Sequence, residues 1–165
     1  MDEVNSNETT QYLTFTINNE TYALNVINVK EVQEFTTVSK VPRMPDFMRG
    51  IINLRGSVVP VVDLKMKFGL GSTEKDIDTS IIVTEVNLEE EMVTMGLLTD
   101  SVKEVIEMKE EEIEPTPYIG TKIDTAFIKG MGRKDDEFLI VLDIEKVLTV
   151  NEISMVASQE KKTDA

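Results

Sequence analysis

The tetrapeptide Val-Lys-Glu-Val occurs twice, at residues 29–32 and 102–105, and it marks an internal duplication that constrains the fold of this chain more than any other feature. At the same spacing of 73 residues Leu24 matches Leu97, Ala23 matches Gly96, Glu34 matches Glu107 and Pro42 matches Pro115. Further along the spacing becomes 80, pairing Phe47 with Phe127, Gly50 with Gly130, Val61 with Val141 and Asp63 with Asp143, so seven residues were gained between Met44 and Ala126. A duplicated supersecondary unit predicts two similar lobes of about 70 residues packed together. What both copies keep reads as architecture, and what only one carries is a candidate for function.

Each copy reads mainly as strands. Leu13, Phe15 and Ile17 alternate with polar residues, then Asn18-Asn19-Glu20 gives way to Tyr22 and Leu24, which is a strand, a turn and a strand. Ile81 to Leu97 repeats this around Asn87-Leu88-Glu89-Glu90. Next, Val26, Val29 and Val32 recur every third residue, with Asn28 three residues before Glu31 and, in the other copy, Ser101 three before Glu104. That spacing resembles a capping box and predicts a helical turn or short helix with the valines on one side, kept short by β-branching. The apolar runs on either side of Asn53-Leu54-Arg55-Gly56, within Ile51 to Leu64, read as a hairpin in which Gly56 tolerates positive φ; Phe127–Gly132 and Phe138–Leu142 form its counterpart around the charged turn Arg133-Lys134-Asp135-Asp136. Asp63 and Asp143 each end a strand ahead of a short amphipathic segment, as helix N-caps do. The fold expected is mainly β: two small, tandem, duplicated antiparallel barrels, with a few short helices. The domain is expected over residues 12–148, with copies near 12–70 and 80–148, strands exchanged between lobes as an open possibility, and flexible termini at 1–11 and 154–165.

Composition narrows the function. The 165 residues contain no Cys, no His and no Trp, which removes disulfides, thiolate sites, the commonest general base and the commonest transition-metal ligand. Seventeen basic against 31 acidic residues leave a net charge of −14, unfavourable for nucleic acid or anionic membranes. With no apolar leader and no run of membrane-spanning length, a soluble, cytoplasmic protein is expected. Asp63 and Asp143 are the obvious pair for acid–base chemistry, but their occurrence in both copies points to capping. Glu74, Asp76 and Asp78 lack the Gly and distal Glu of a calcium loop, and Gly69-Leu70-Gly71-Ser72 lacks the phosphate-loop pattern. No enzyme, cofactor or metal site is expected. The alternative is a tandem β-barrel that binds nucleic acid or a small ligand, although only nine Phe and Tyr are available for stacking.

The asymmetric feature is Asn53-Leu54-Arg55-Gly56, where the other copy has Arg133-Lys134-Asp135-Asp136. On the residues alone, Arg55 is either solvated or presented to a partner. Gly50-Ile51-Ile52-Asn53-Leu54-Arg55-Gly56, followed by Val59-Pro60-Val61-Val62-Asp63-Leu64, is similar to the signature stretch of the CheW-type coupling proteins of bacterial chemotaxis, and the likeness runs from Tyr12 to about Leu148.

That resemblance implies two five-stranded SH3-like barrels packed across a shared hydrophobic seam, and a non-enzymatic cytoplasmic adaptor. The adaptor would join the signalling tip of the chemoreceptors to the regulatory domain of the histidine kinase CheA, recruited to receptor arrays at the inner face of the membrane. With no room for a kinase or receiver domain, the free-standing adaptor is expected. The resemblance further implies a receptor groove between the lobes lined by Leu13, Val26, Val29, Val32 and Val102, with Glu31 and Arg55 at its polar edge, and a kinase-facing side at Val38 and Val58. Without it, the five apolar groove positions read as ordinary core.

Overall fold

The computed structural model describes residues 8–36, 38–40, 42–88, 90–115 and 127–147. The first copy supplies β1 (Thr9–Ile17), β2 (Glu20–Asn25), β3 (Val29–Glu34), β4 (Met48–Leu54) and β5 (Ser57–Asp63), closed by the one-turn helix α1 (Leu64–Lys67). The second supplies β6 (Ser80–Leu88), β7 (Glu91–Thr99), β8 (Ser101–Lys109), β9 (Ile128–Lys134) and β10 (Glu137–Leu142). β1 starts at Thr9, ahead of the Tyr12 boundary read from the sequence, because Thr9 to Gln11 pair with Lys109 to Glu107 of β8.

The sheets do not follow the copies. One has the order β8-β1-β2-β10-β9 and the other β3-β6-β7-β5-β4, so each joins strands of both copies, and replacing every strand by its duplicate turns one order into the other. In each, one parallel pairing links the copies: β10 with β2 and β5 with β7. The hairpins close through two-residue turns in which both central residues of Asn18-Asn19, Arg55-Gly56 and Asp135-Asp136 have positive φ, the twist that suits flanking strands.

Alternation along the strands produces three cores. Ile52, Val59, Val61, Ile81, Val83 and Leu98 fill the inside of the β3-to-β4 sheet. Tyr12, Ala23, Met108, Leu139 and Val141 fill the inside of the other. The opposite faces of both sheets meet in the largest core, which includes Leu13, Phe15, Tyr22, Val62, Ile82, Leu97 and Ile140. Strands buried on both faces explain why Ser57 to Val62 and its duplicate read as continuous apolar runs. A column of stacked rings, Phe15–Tyr22–Phe68–Phe127, crosses this shared core with centroid spacings of 5.9, 5.7 and 5.6 Å.

The duplicated glycines have a steric cause. The chain leaving edge strand β3 bridges to the opposite edge through Ser39 and Ile51, and the chain leaving β8 does so through Glu114 and Met131. A Cβ at Gly50 would overlap the Ser39 carbonyl oxygen, and one at Gly130 would lie 2.7 Å from that of Glu114. Pro60 lies inside the sheet, since β5 is flanked by β4 and β7. It is tolerated because the β5–β7 ladder covers only Val61 to Asp63, leaving Ser57 to Pro60 without a partner on that flank.

The helix expected around Val26 to Val32 is corrected. Only Val26–Asn28 forms a 3-10 turn, with Asn25 as its cap, and Val29–Glu34 is strand. The matching segment from Ser101 is likewise strand β8.

Candidate functional site

A strand places residues three apart on opposite faces, so the repeated Val-Lys-Glu-Val could not present both valines together without an irregularity. Both copies contain one. Val29 lies opposite Thr84 and Val32 opposite Ile82, a step of three residues on β3 against two on β6, with the register shift between Val29 and Glu31. On β8 Val102 lies opposite Phe15 and Val105 opposite Leu13, again three against two. These are β-bulges, and each puts its pair of valines on the face of the shared core. In β8 the bulge is fastened by Thr14, whose Oγ1 accepts from the Glu104 amide at 3.1 Å and donates to the Glu104 carbonyl at 2.7 Å. The helical spacing in the sequence was real; a bulged strand satisfies it as a helix would.

β3 and β8 are edge strands, one in each sheet. Val26, Val29 and Val102 are half-buried against the shared core, while Val32 is 41% and Val105 51% exposed. Leu13 is buried within that core, below the valines. Val105 escaped the sequence reading, although its match to Val32 in the duplication was the available signal.

Arg55 and Glu31 come together across the sheet. The Arg55 guanidinium donates to Glu31 Oε2 at 2.7 Å, tying the β4–β5 turn to the bulge of β3. The Arg55 side chain remains 73% exposed while that of Glu31 is 27% exposed, so the carboxylate orients the cation without burying it. Arg55 also lines a depression of about 330 Å³ with Lys30, Leu54, Ser57, Val58, Val59 and Thr94. Val58 is half-buried there, on the part of β5 that lacks a β7 partner. Val38 is half-buried against the inner core beside the Ser39–Ile51 bridge. The resemblance assigns Arg55 and Val58 to different partners, and the fold places them on one surface.

Asp63 is fully buried and its acceptors are occupied. Oδ2 receives Arg49 and the Thr73 amide, each at 2.9 Å; Oδ1 receives the Thr73 hydroxyl at 2.7 Å and the amides of Lys65 and Met66. Asp143 caps Glu145 and faces Lys146 at 3.8 Å. Both are N-caps, and Asp63 additionally holds the segment that leads out of the first copy. Among the described residues no group of three or more acidic side chains is placed to hold a metal ion, and no helix is long and apolar enough to cross a membrane.

The architecture is thus two interlocked five-stranded sheets, each with a bulged edge strand that turns a pair of valines towards the core between them. The family model described as CheW-like domain matches residues 11–152, and the chain belongs to the CheW family. It is 33% identical to the chemotaxis protein CheW of Klebsiella aerogenes over 151 residues, covering 92% of this chain and 89% of that one. It is 29% identical to the CheW of Treponema pallidum, over 93% of this chain and 90% of its relative. The crystal structure of the scaffolding protein TtCheW from Thermoanaerobacter tengcongensis superposes with a TM-score of 0.78 at 38% identity, covering 88% of this chain and 96% of that one.

Proposed function

We propose that this chain is a non-catalytic adaptor of bacterial chemotaxis that couples chemoreceptors to the histidine kinase CheA. In this reading the seam flanked by β3 and β8 takes the receptor's cytoplasmic signalling tip. Val26, Val29, Val32 and Val102 supply the apolar contacts, Leu13 the floor and Glu31 a polar rim. The half-free flank of β5 with Val58, together with Val38 beside the Ser39–Ile51 bridge, takes the regulatory domain of the kinase. Contact with receptors brings the protein to arrays at the inner face of the membrane without its touching lipid. The observation that carries this reading is the pair of bulges, which turn two edge strands so that partly exposed valines border the core between the sheets. An apolar helix fits such a border, with anchors at i, i+3 or i+4.

The test is a pair of titrations, one with a receptor-tip fragment and one with the CheA regulatory domain. Val32→Asp, at an exposed position, is expected to weaken receptor binding at least about tenfold, near 1.4 kcal/mol, and to leave kinase binding unchanged. Val58→Glu is expected to do the reverse. Arg55→Ala reports which partner occupies the depression it shares with Val58. Unchanged receptor affinity in Val32→Asp, with the fold intact by circular dichroism, would sink the seam assignment.

A further inference from the structure

Residues 40–75 run against the charge of the whole molecule: seven Lys and Arg face three Asp and Glu there, in a chain whose net charge is −14. Several of these cations are committed internally. Arg49 pairs with Asp63, Arg55 with Glu31 and Lys65 with Asp100, and Lys75 lies over the Phe35 ring. Lys40 and Arg43 are exposed and have no hydrogen-bond, ion-pair or ring partner among the described residues. Arg43 is held with φ of 66°, in the left-handed region, at the turn leading into Met44.

Beside these two cations lies a second depression, of about 400 Å³. Met44, Pro45, Met48 and Met66 form its apolar lining, with Lys40, Asp46 and Ser72 at its polar edge, so that the exposed Arg43 next to Met44 is what tips the surroundings to positive; the Arg49 side chain on its wall is already taken by Asp63 and the Thr73 carbonyl. Three of the chain's nine methionines thus meet at one surface opening, and they share no residue with the seam valines or with the Arg55 depression. Methionine side chains adapt to varied apolar shapes and are enriched at interface centres. The volume lies at the lower end of the range of about 300–1,000 Å³ that holds small ligands, which suits one or two bulky side chains rather than a whole helix.

We propose that this methionine-lined depression is a further docking site, and that its occupant is an acidic segment of a partner protein that inserts a bulky apolar side chain between Met44 and Met66. Carboxylates flanking the inserted side chain would meet Lys40 and Arg43. The negative charge over the rest of the molecule repels such a segment elsewhere, so the local reversal of sign guides it to this face.

Fluorescence anisotropy tests this with a short fluorescein-labelled peptide carrying Leu at i, i+3, i+4 and i+7 and Glu between, against the same peptide with Lys for every Glu. The acidic peptide is expected to bind at least about tenfold more tightly than its basic counterpart, with affinity falling as salt rises. Met66→Gln and the double change Lys40→Glu/Arg43→Glu are each expected to weaken it at least about fivefold, while the receptor-tip fragment binds as before. The double change alters exposed side chains only, so it decides the matter even if Met66→Gln loses its fold. Failure of the acidic peptide to bind, equal affinity for both peptides, or indifference to the double change would each overturn the proposal. Parallel measurement of receptor-tip binding separates that outcome from a failure of the adaptor reading.

Discussion

At the β4–β5 turn of the first copy, Arg55 reaches to the Glu of Val-Lys-Glu-Val at 2.7 Å. At the β9–β10 turn of the second, it is the Lys of the same tetrapeptide that reaches across, Lys103 facing Glu137 at 3.6 Å, with Thr21 donating to that carboxylate at 3.0 Å. Of the other charges of the second turn, Arg133 faces Asp136 at 3.7 Å and lies over the Phe138 ring, and Lys134 donates to the Glu107 carbonyl of β8 at 3.4 Å. Identical edge-strand sequences therefore hold their hairpins with opposite charges. The bulge is architecture, since both copies need it to aim their valines. The choice of partner charge is free, and in the first copy it leaves a mostly exposed Arg side chain beside a depression. Comparison within one chain thus separates what the fold demands from what one lobe adds.

The largest expected effect tests how alike the copies are where the chain crosses between edges. Gly50→Ala forces a Cβ into the Ser39 carbonyl at a φ of 143°, and is expected to cost about 3 kcal/mol or more by chemical denaturation. Gly130→Ala meets its carbonyl at 2.7 Å without a positive φ, and about half that cost is expected. Equal losses would mean that strain at Gly50 adds nothing to the clash.

A second effect separates Tyr22 from Met95, its duplicate. The Tyr22 hydroxyl is buried without a hydrogen-bond partner among the described residues, and burial, aided by Glu20, pushes its pKa from 10.0 to about 12. Between those values the unfolded chain releases a proton that the folded chain retains. Stability from this group is therefore full below pH 10 and lost as pH rises towards 12, by roughly 2 kcal/mol. Tyr22→Phe is expected to remove that part of the alkaline decline and to raise stability at pH 7 by about 1 kcal/mol, because an orphan hydroxyl no longer has to be buried. A decline in Tyr22→Phe as steep as in the parent would assign it to other groups.

The smallest effects concern the two turn clamps. Double-mutant cycles for Arg55 with Glu31 and Lys103 with Glu137 are each expected to give no more than about 1 kcal/mol, shrinking at high salt, as exposed ion pairs do. A coupling well above that for Arg55 would make it a structural residue and remove the main asymmetry between the copies.

Much of the architecture was legible in the chain. The duplication, the alternation of Leu13, Phe15 and Ile17, a hairpin turn within Asn53–Gly56 and the caps at Asp63 and Asp143 all rest on local chemistry, which acts over a few residues and leaves its mark in order. The CheW-like signature from Gly50 to Leu64 was legible for the same reason. The spacing of Val29 and Val32 was not decisive, because a helix and a bulged strand both bring residues three apart to one face; only pairing with β6, contributed by the other copy, selects the strand. The sequence by itself determined the strand-rich duplication, the family and the absence of His and Cys chemistry, since these follow from composition and short-range pattern. Tertiary structure alone decided the exchange of strands between sheets, the clasp of Arg55 on Glu31, the surface Arg55 shares with Val58 and the methionine-lined depression, because each depends on which distant segments pack together.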